Sequence, residues 1–224
     1  MDNYEFELQN PYNPSIRKEL KKEVIQPLSD GQIAEYFGNK RNFDDHVLTV
    51  SELNPKTSKF KDLDDLFSST PLNSFYGYKI ILQEHTRPGN GHWIVILKYK
   101  YKNKVVYEYF DSYGEPIGKI LELNGASHNR DLGQERDFLK DLFHKKMAGS
   151  QTAKCIYNDE KFQDSNPKIA TCGRWCILRI LLCEHFKMNL QDFYNFIHRL
   201  KTITYKKLSR DEICCLLVDI NYKN

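Results

Sequence analysis

One cysteine of the chain stands where a polar segment changes into a long apolar run. Residues 170 to 182 read ATCGRWCILRILL, and the part after Cys172 is typical of a buried helix. At the start of a helix, unpaired backbone N–H groups and the positive end of the helix dipole favour a thiolate over a thiol. Cys172 is therefore a candidate nucleophile, which needs a base to activate it and a third group to orient that base.

His92 is the best candidate for the base. It follows a glycine-rich loop and begins an apolar run of β-forming residues, so a strand is predicted to hold its imidazole ring. A second such run, residues 104 to 110, ends directly before Asp111. Because the turn near residues 102 and 103 lies about midway, a hairpin returns Asp111 to the end of the sheet where His92 lies.

A carboxylate in that position can accept the imidazole N–H, select one tautomer and stabilise the imidazolium ion. Each residue alone also has an ordinary structural interpretation, as a satisfied strand-end histidine or as an aspartate that caps a turn. The pairing of their strands favours the catalytic interpretation. The sequence therefore predicts a triad of Cys172, His92 and Asp111.

Acyl transfer also needs hydrogen-bond donors for the oxyanion of the tetrahedral intermediate. The backbone N–H of Cys172, at the predicted helix start, is one donor. The loop before the helix contains two side-chain amides, Gln163 and Asn166. Either could supply a second donor, and either could be an ordinary loop amide.

Three neighbouring residues are rivals for these roles. His85 precedes His92 by seven residues, but turn residues follow it instead of a strand. Cys176 lies one helical turn after Cys172 and is expected to be a buried core thiol. His185 lies too far along the same helix to reach Cys172. A structural zinc site needs four ligands, usually as two closely spaced pairs, and the sequence has no second pair to match Cys172 and Cys176. No zinc site is therefore predicted.

The elements that must position these residues follow from the spacing of apolar residues. Helices are predicted over residues 16–25, 32–37, 60–67, 135–147, 172–186, 190–200 and 213–220. Strands are predicted over residues 76–82, 92–101, 104–110 and 153–157, and a flexible, turn-rich loop over 84–91. A single domain is expected, with a helical extension over residues 1–75, a core over 76–187 and C-terminal helices over 188–224.

Composition and charge exclude several classes of protein. The 224 residues are 40 % hydrophobic and 28 % charged, which is ordinary for a globular protein and argues against disorder. No apolar run is long enough to span a bilayer, and the first residues lack the features of a signal peptide. An intracellular protein with six reduced cysteines is therefore expected. The net charge of +3 is too small to imply nucleic-acid binding by itself.

The order His92, Asp111, Gln163, Cys172 resembles that of the adenain-like and SUMO-protease-like clan of cysteine peptidases. The similar motifs are Gly-His-Trp before an apolar strand, Phe-Asp-Ser-Tyr-Gly with a proline two residues later, and a glutamine before Cys-Gly-x-x-Cys on a long apolar helix. They look most like the motifs of the capsid-maturation proteases of adenoviruses, virophages and Polinton-type elements. The resemblance covers residues 76 to 187.

This resemblance implies an α+β fold of the papain-like or adenain-like type. In it a mixed β-sheet packs against a central helix that bears the catalytic cysteine, with further helices at both ends. It also implies that Cys172 is the nucleophile, His92 the general base and acid, and Asp111 the group that orients the histidine.

The resemblance further implies supporting residues around this triad. Gln163 would donate to the oxyanion, although it precedes Cys172 by nine residues, a somewhat longer gap than the family usually shows. Asn166 is the reserve for that role. Trp93 would pack beside the catalytic pair, and Gly173 would support the oxyanion site.

The implied activity is that of an endopeptidase that cuts viral structural precursors, such as capsid proteins, beside small residues during virion maturation. No metal or organic cofactor is implied. The protein is expected to be a monomer, to work in the host cell cytoplasm or virus factory and to be packaged in the virion. A DNA or peptide activator is a further implied partner, and a membrane is not.

Three other functions stay open at this point. A protease that removes a ubiquitin-like modifier would have the same motifs, and an enzyme of the same clan could transfer an acetyl group to a host protein. A binding module could also keep the fold after losing turnover. Three measurements distinguish these functions from a capsid protease. Activity on a Gly-Gly conjugate indicates the deconjugating protease, turnover of acetyl-coenzyme A indicates the acetyltransferase, and an unreactive Cys172 indicates the binding module.

Overall fold

A computed structural model describes residues 12–37, 46–68, 76–149 and 153–220 of the chain. The chain forms two compact units. The sheet unit is Asn39–Lys161, and the helical unit combines Met1–Gly38 with Phe162–Asn224. The prediction that a single protease domain spans the whole chain stays a prediction.

The sheet unit contains a mixed sheet whose five strands, within the described residues, follow the order β1-β2-β3-β4-β5. They are β1 (Val47–Thr49), β2 (Tyr76–Arg87), β3 (Asn90–Tyr101), β4 (Lys104–Phe110) and β5 (Ala153–Tyr157). The outer pairs, β1 with β2 and β4 with β5, are parallel, and the inner pairs are antiparallel. The predicted strands are therefore confirmed, and β1 is an additional one, too short for its alternation to be recognised.

The turn between β3 and β4 determines where Asp111 lies. Tyr101 pairs with Lys104, and the two residues between them, Lys102 and Asn103, have φ angles of 47° and 60°. Two positive φ angles define the type I′ turn, whose twist matches that of the strands. The predicted turn is confirmed, and it brings Asp111 back to the end of β3 that bears the candidate histidine.

The prediction of a flexible loop over residues 84–91 is wrong for most of its length. β2 continues to Arg87 and β3 begins at Asn90, so only a two-residue turn separates them. The pairing shifts register between Glu84 and Arg87, an irregularity of the β-bulge kind. The polar residues of this segment obscure its strand character in the sequence, because a bulge interrupts the alternation of side chains.

Most helices of the sheet unit contribute side chains to one apolar core on the sheet. The helices of this unit are α3 (Leu63–Leu66), α4 (Lys119–Asn124), α5 (Ala126–Asp131) and α6 (Phe138–Gly149), with a 3-10 turn at Val50–Leu53. The core includes Ile81, Ile94, Ile96, Tyr107 and Tyr109 from the strands and Leu63, Leu66, Phe138, Leu142 and Phe143 from the helices. The sequence did not predict α4 and α5, because each begins after a glycine and lacks a side-chain cap.

The helical unit is organised around one buried helix. Its helices are α1 (Pro14–Glu23), α2 (Asp30–Tyr36), α7 (Cys172–Phe186), α8 (Leu190–Arg199) and α9 (Arg210–Cys215), and π-helical turns follow α8 and α9. Every residue of α7 from Gly173 to Cys183 is buried, as the apolar run predicts. In the described part of the chain, no helix combines the length and the apolar character that crossing a membrane requires.

Arg174, in the first turn of α7, joins this helix to both ends of the chain. Its Nε donates to Asp219 at 2.6 Å, and its two terminal nitrogens donate to Glu23 and to the carbonyl oxygen of Gln26, each at 2.5 Å. The Tyr36 hydroxyl donates to the same Asp219 carboxylate. Burial lowers the pKa of Arg174, but the two carboxylates raise it by more than burial lowers it. The guanidinium therefore stays charged.

Candidate active site

The structure brings His92 and Asp111 together in the sheet unit. Nε2 of His92 lies 2.8 Å from Oδ1 of Asp111, and the two residues are 3 % and 0 % exposed. Because a carboxylate accepts, the N–H at Nε2 donates to it, and the lone pair of the neutral ring then lies on Nδ1. The pair is thus arranged so that the carboxylate fixes the tautomer and Nδ1 can act as a base.

Tyr113 contacts both members of this pair. Its ring stacks on the imidazole of His92, with 4.8 Å between the ring centroids and 21° between the planes. Its backbone N–H donates to Oδ1 of Asp111 at 2.8 Å. The turn that permits this closes at Gly114, which has a φ of 70° and whose N–H donates to the Asp111 carbonyl at 2.9 Å. The Asp-Ser-Tyr-Gly motif is therefore a tight turn that supports the histidine.

Asn158, the residue after β5, extends the β4–β5 ladder with its side chain. Its Oδ1 accepts from the backbone N–H of Asp111 at 2.7 Å, and its Nδ2 donates to the Asp111 carbonyl at 2.6 Å. Nδ2 also donates to the carbonyl of Glu160 at 3.1 Å. No pattern in the sequence distinguishes this residue, because an asparagine before an aspartate is common in ordinary turns.

Asn158→Ala is expected to lower the free energy of unfolding of the sheet unit by about 1 to 3 kcal/mol, because it leaves the buried N–H of Asp111 without its acceptor and removes one of the two donors to the Asp111 carbonyl. Urea denaturation followed by circular dichroism measures the change. The matched control is Asn195→Ala, at an exposed position of α8, which is expected to alter stability by less than about 0.5 kcal/mol. Equal stabilities of the two variants would contradict the role given to Asn158.

His85, the rival base, is not hydrogen-bonded to Asp111. Its Nε2 is buried and has no hydrogen-bond partner, while its carbonyl accepts from Nε2 of His128. Burial lowers the pKa of His85, and the neighbouring His92 lowers it further, so its ring stays neutral around pH 7. The geometry favours His92, because only that ring is oriented by the carboxylate.

The residues that flank His92 have separate structural roles. A Cβ at Gly91 would lie 2.0 Å from the backbone oxygen of Gln83, so the close approach of β2 and β3 requires glycine there. Trp93 is buried, and the alternation of side chains along β3 places it on the face opposite His92. Its packing beside the catalytic pair stays a prediction.

Cys172 is the first residue of α7, as the sequence predicts, and its side chain is half-buried. The backbone N–H of Trp175 donates to the Thr171 carbonyl at 3.0 Å, which begins the helix. Gly173 is buried in the first turn. The thiol therefore lies where first-turn N–H groups and the helix dipole can stabilise a thiolate.

The other thiols differ from Cys172 in their surroundings. Those buried in the helical unit are Cys176, Cys183, Cys214 and Cys215. Cys155, in β5, is half-buried, and burial raises the pKa of its thiol. Burial also raises the pKa of Cys214 and Cys215 far above the ordinary value. These three thiols are thus poor nucleophiles near neutral pH.

The two candidate oxyanion amides have different environments in the loop before α7. Gln163 is 2 % exposed, and its Nε2 donates to the carbonyl of Ile169 at 3.1 Å. Asn166 is exposed, and its Oδ1 accepts from the backbone N–H of Lys168 at 3.0 Å, as in an ordinary Asx turn. This difference favours Gln163, whose role stays a prediction.

The predicted site residues thus fall into two groups. His92 and Asp111 form a hydrogen-bonded pair in the sheet unit, and Cys172 and Gln163 belong to the helical unit. Within the described ranges, no three His, Cys, Asp or Glu side chains are grouped so that they could hold a metal ion.

Comparisons with known proteins identify a sequence relative and solved structures with a similar fold. No protein-family model matches the chain. The chain is 28 % identical over 200 residues to uncharacterized protein V9 of Sputnik virophage, covering 89 % of this chain and 98 % of that protein. It superposes on the crystal structure of ASFV pS273R protease with a TM-score of 0.50 and 12 % identity, covering 88 % of this chain and 68 % of the protease.

A selenomethionine crystal structure of the same ASFV protease gives a TM-score of 0.47 at 11 % identity, covering 93 % of this chain and 80 % of that chain. The first superposition shows that the chain has the fold of a viral protease, which confirms the predicted α+β class. At 12 % identity the similarity concerns the fold. The activity must be argued from the site residues.

Proposed function

We propose that this protein is a cysteine endopeptidase in which Cys172 is the nucleophile, His92 the general base and acid, Asp111 the orienting acid and Gln163 a donor to the oxyanion. The observation that carries the proposal is the buried hydrogen bond between His92 and Asp111. A buried imidazole whose Nε2–H is held by a carboxylate is the arrangement that prepares Nδ1 to accept a proton from a nucleophile. The proposal requires the Cys172 thiol to meet Nδ1 when the enzyme acts.

The reaction follows from these roles. The proton of the Cys172 thiol moves to Nδ1 of His92, and the thiolate sulfur bonds to the carbonyl carbon of the peptide. The carbonyl oxygen becomes an oxyanion, which accepts hydrogen bonds from the Cys172 N–H and the Gln163 amide. Collapse of this intermediate breaks the C–N bond, and the amine leaves with the proton from His92.

Hydrolysis of the resulting thioester completes the cycle. A water molecule gives a proton to Nδ1 of His92 and its oxygen bonds to the acyl carbon. The C–S bond then breaks, the carboxylic acid leaves and the proton returns to sulfur. Asp111 stays ionised throughout and stabilises the imidazolium that forms in each step. No step uses a metal or an organic cofactor.

Cys172→Ala tests the proposal directly. It is expected to lower hydrolysis of a fluorogenic peptide amide with two glycines before the scissile bond by about 10⁴-fold or more, because no other group can form the thioester. The matched control is Cys155→Ala, which removes the other half-buried thiol and is expected to keep the wild-type rate. Hydrolysis at the wild-type rate by Cys172→Ala would refute the proposal.

Alkylation by iodoacetamide gives an independent measurement of the nucleophile. Near pH 7, Cys172 is expected to react at least about ten times faster than Cys155, since a helix start lowers a thiol pKa and burial raises one. Peptide mapping by mass spectrometry identifies which thiol has reacted. Equal reaction rates would support a binding module in place of an enzyme.

We further propose that the substrate is a viral structural precursor cut beside small residues such as glycine. Two findings support this substrate class: the similarity to a virophage protein and the fold shared with a viral protease. Co-expression of wild type or Cys172→Ala with candidate capsid proteins, followed by intact-mass measurement, tests the substrate. Cleavage of a ubiquitin-like Gly-Gly conjugate with no change in the capsid proteins would identify a deconjugating enzyme instead.

A further inference from the structure

Asp211, near the C-terminus, accepts hydrogen bonds from both sides of the candidate nucleophile. Its Oδ1 accepts from the Thr171 hydroxyl at 2.5 Å and from the Trp175 indole N–H at 3.1 Å. Its Oδ2 accepts from the backbone N–H of Asp164 at 3.0 Å. Asp211 is 2 % exposed, and a carboxylate can be buried there because both of its oxygens are hydrogen-bonded. In the sequence, Asp211 lies just before the helix predicted over residues 213–220.

One effect of this carboxylate is on the start of α7. The N-cap side chains of α1, α2, α8 and α9 each accept from a first-turn N–H of their own helix. Thr171, the N-cap of α7, makes no such bond, and its hydroxyl donates to Asp211. The first-turn N–H groups of α7 are therefore not occupied by the cap side chain, which suits a helix start that must bind an oxyanion.

A second effect is on the loop that carries Gln163. Phe162 is buried, with its ring centroid 5.2 Å from that of Trp175 and 5.1 Å from that of Phe193. On the other side of Gln163, the backbone of Asp164 is held by Asp211. Both neighbours of the candidate oxyanion donor are thus anchored in the helical unit, and Trp175 is common to the two anchors.

We propose that Asp211 is a positioning residue, which sets the geometry of the oxyanion site through Gln163 and the start of α7 and does not touch the substrate. This inference rests on the proposed peptidase function. It follows that Asp211 belongs to the catalytic apparatus even though it lies 39 residues after the nucleophile and outside every recognised motif. Asp211 contributes by holding Gln163 and the start of α7 in the positions that they must occupy before the oxyanion forms.

Asp211→Asn is the first test. The amide keeps the size of the side chain but can no longer accept on both atoms, so at least one of its donors loses its partner. kcat for the fluorogenic peptide is expected to fall by about 10- to 100-fold with little change in KM, since the loss concerns the transition state. The matched control is Asp192→Asn, an exposed first-turn aspartate of α8, which is expected to keep the wild-type kcat.

A double-mutant cycle distinguishes positioning from general loss of structure. Because Asp211 acts in part through Gln163, Asp211→Asn should lower kcat by a clearly smaller factor in a Gln163→Ala background than in the wild-type protein, whereas independent effects would multiply. Multiplying effects, or a kcat for Asp211→Asn within about twofold of wild type, would overturn the proposal. Should Asp211→Asn not fold, Thr171→Val replaces it in the cycle, with Thr171→Ser as the variant that keeps the hydroxyl.

The outcomes for this proposal and for the peptidase function are separable. A wild-type protein that cleaves, together with an inactive Cys172→Ala, supports the peptidase whatever Asp211→Asn does. A normal rate in Asp211→Asn, and in Thr171→Val if that variant is needed, then refutes the role of Asp211 alone. A wild-type protein without turnover refutes both.

Discussion

Asp111→Asn is expected to lower kcat for peptide hydrolysis by about 10⁴-fold, the order found when the aspartate of a catalytic triad is replaced in this way. The carboxylate accepts from Nε2–H of His92 at 2.8 Å. An amide that presents its N–H₂ to the ring favours the tautomer with the proton on Nδ1 and removes the base, and in either orientation the amide lacks the charge that stabilises the imidazolium. The loss corresponds to about 5 kcal/mol of transition-state stabilisation.

The variant should nevertheless fold, because the hydrogen bonds of the Asp111 backbone do not involve its side chain, and only the contact with the Tyr113 N–H depends on how the amide is oriented. Both hydrogen bonds to Asn158 use the Asp111 N–H and carbonyl. Circular dichroism and thermal denaturation check the fold, and steady-state kinetics measure kcat. The matched control, Asp131→Asn, changes an exposed carboxylate of the same unit and should keep the wild-type rate. A kcat for Asp111→Asn within tenfold of the control would show that Asp111 does not orient the base.

Arg174→Met is expected to lower the free energy of unfolding of the helical unit by about 3 to 5 kcal/mol, the usual effect of removing one partner from a buried ion pair. Methionine fills much of the space of the arginine side chain but cannot donate. Asp219 and Glu23 then lose their cation, and the Gln26 carbonyl loses its donor. The change would loosen the first turn of α7, which carries Cys172.

The two tryptophans make this measurement specific to one unit. Trp175 is buried in the helical unit and Trp93 lies in β3 of the sheet unit. In a Trp93→Phe background, urea denaturation followed by fluorescence reports on Trp175 alone. The control is Arg17→Met, which removes a 2.9 Å ion pair with Glu212 at a partly exposed position and should cost about 1 kcal/mol or less. Similar losses for Arg174→Met and the control would contradict the anchoring role.

The Arg174 contacts also give the ends of the chain a role that sequence motifs do not reveal. Its partners Glu23 and Asp219 both lie outside residues 76–187, the part that contains the sequence motifs. Asp211 lies outside that part as well, and it contacts the loop and helix that carry Gln163 and Cys172. A fragment limited to the motifs would lack these contacts, so we expect that it would not form the helical unit.

Local patterns account for what could be predicted. The apolar run after Cys172 predicts a central helix, and α7 is buried as expected. The residues between β3 and β4 form the predicted turn, which pairs Asp111 with His92. Where the local pattern was interrupted, the prediction failed: the bulge in β2 made a strand look like a loop.

The sequence by itself determined the local chemistry of this protein: a thiol at a helix start, and a hairpin whose turn brings an acid to a histidine. These features depend on periodicity and turn geometry over a few neighbouring residues. Only the tertiary structure decided which groups support them. Asn158 binds Asp111 across 47 residues, Asp211 binds Thr171 across 40, and Asp219 binds Arg174 across 45. Such pairings depend on how distant segments pack, because a buried polar group needs a partner that only the folded chain supplies.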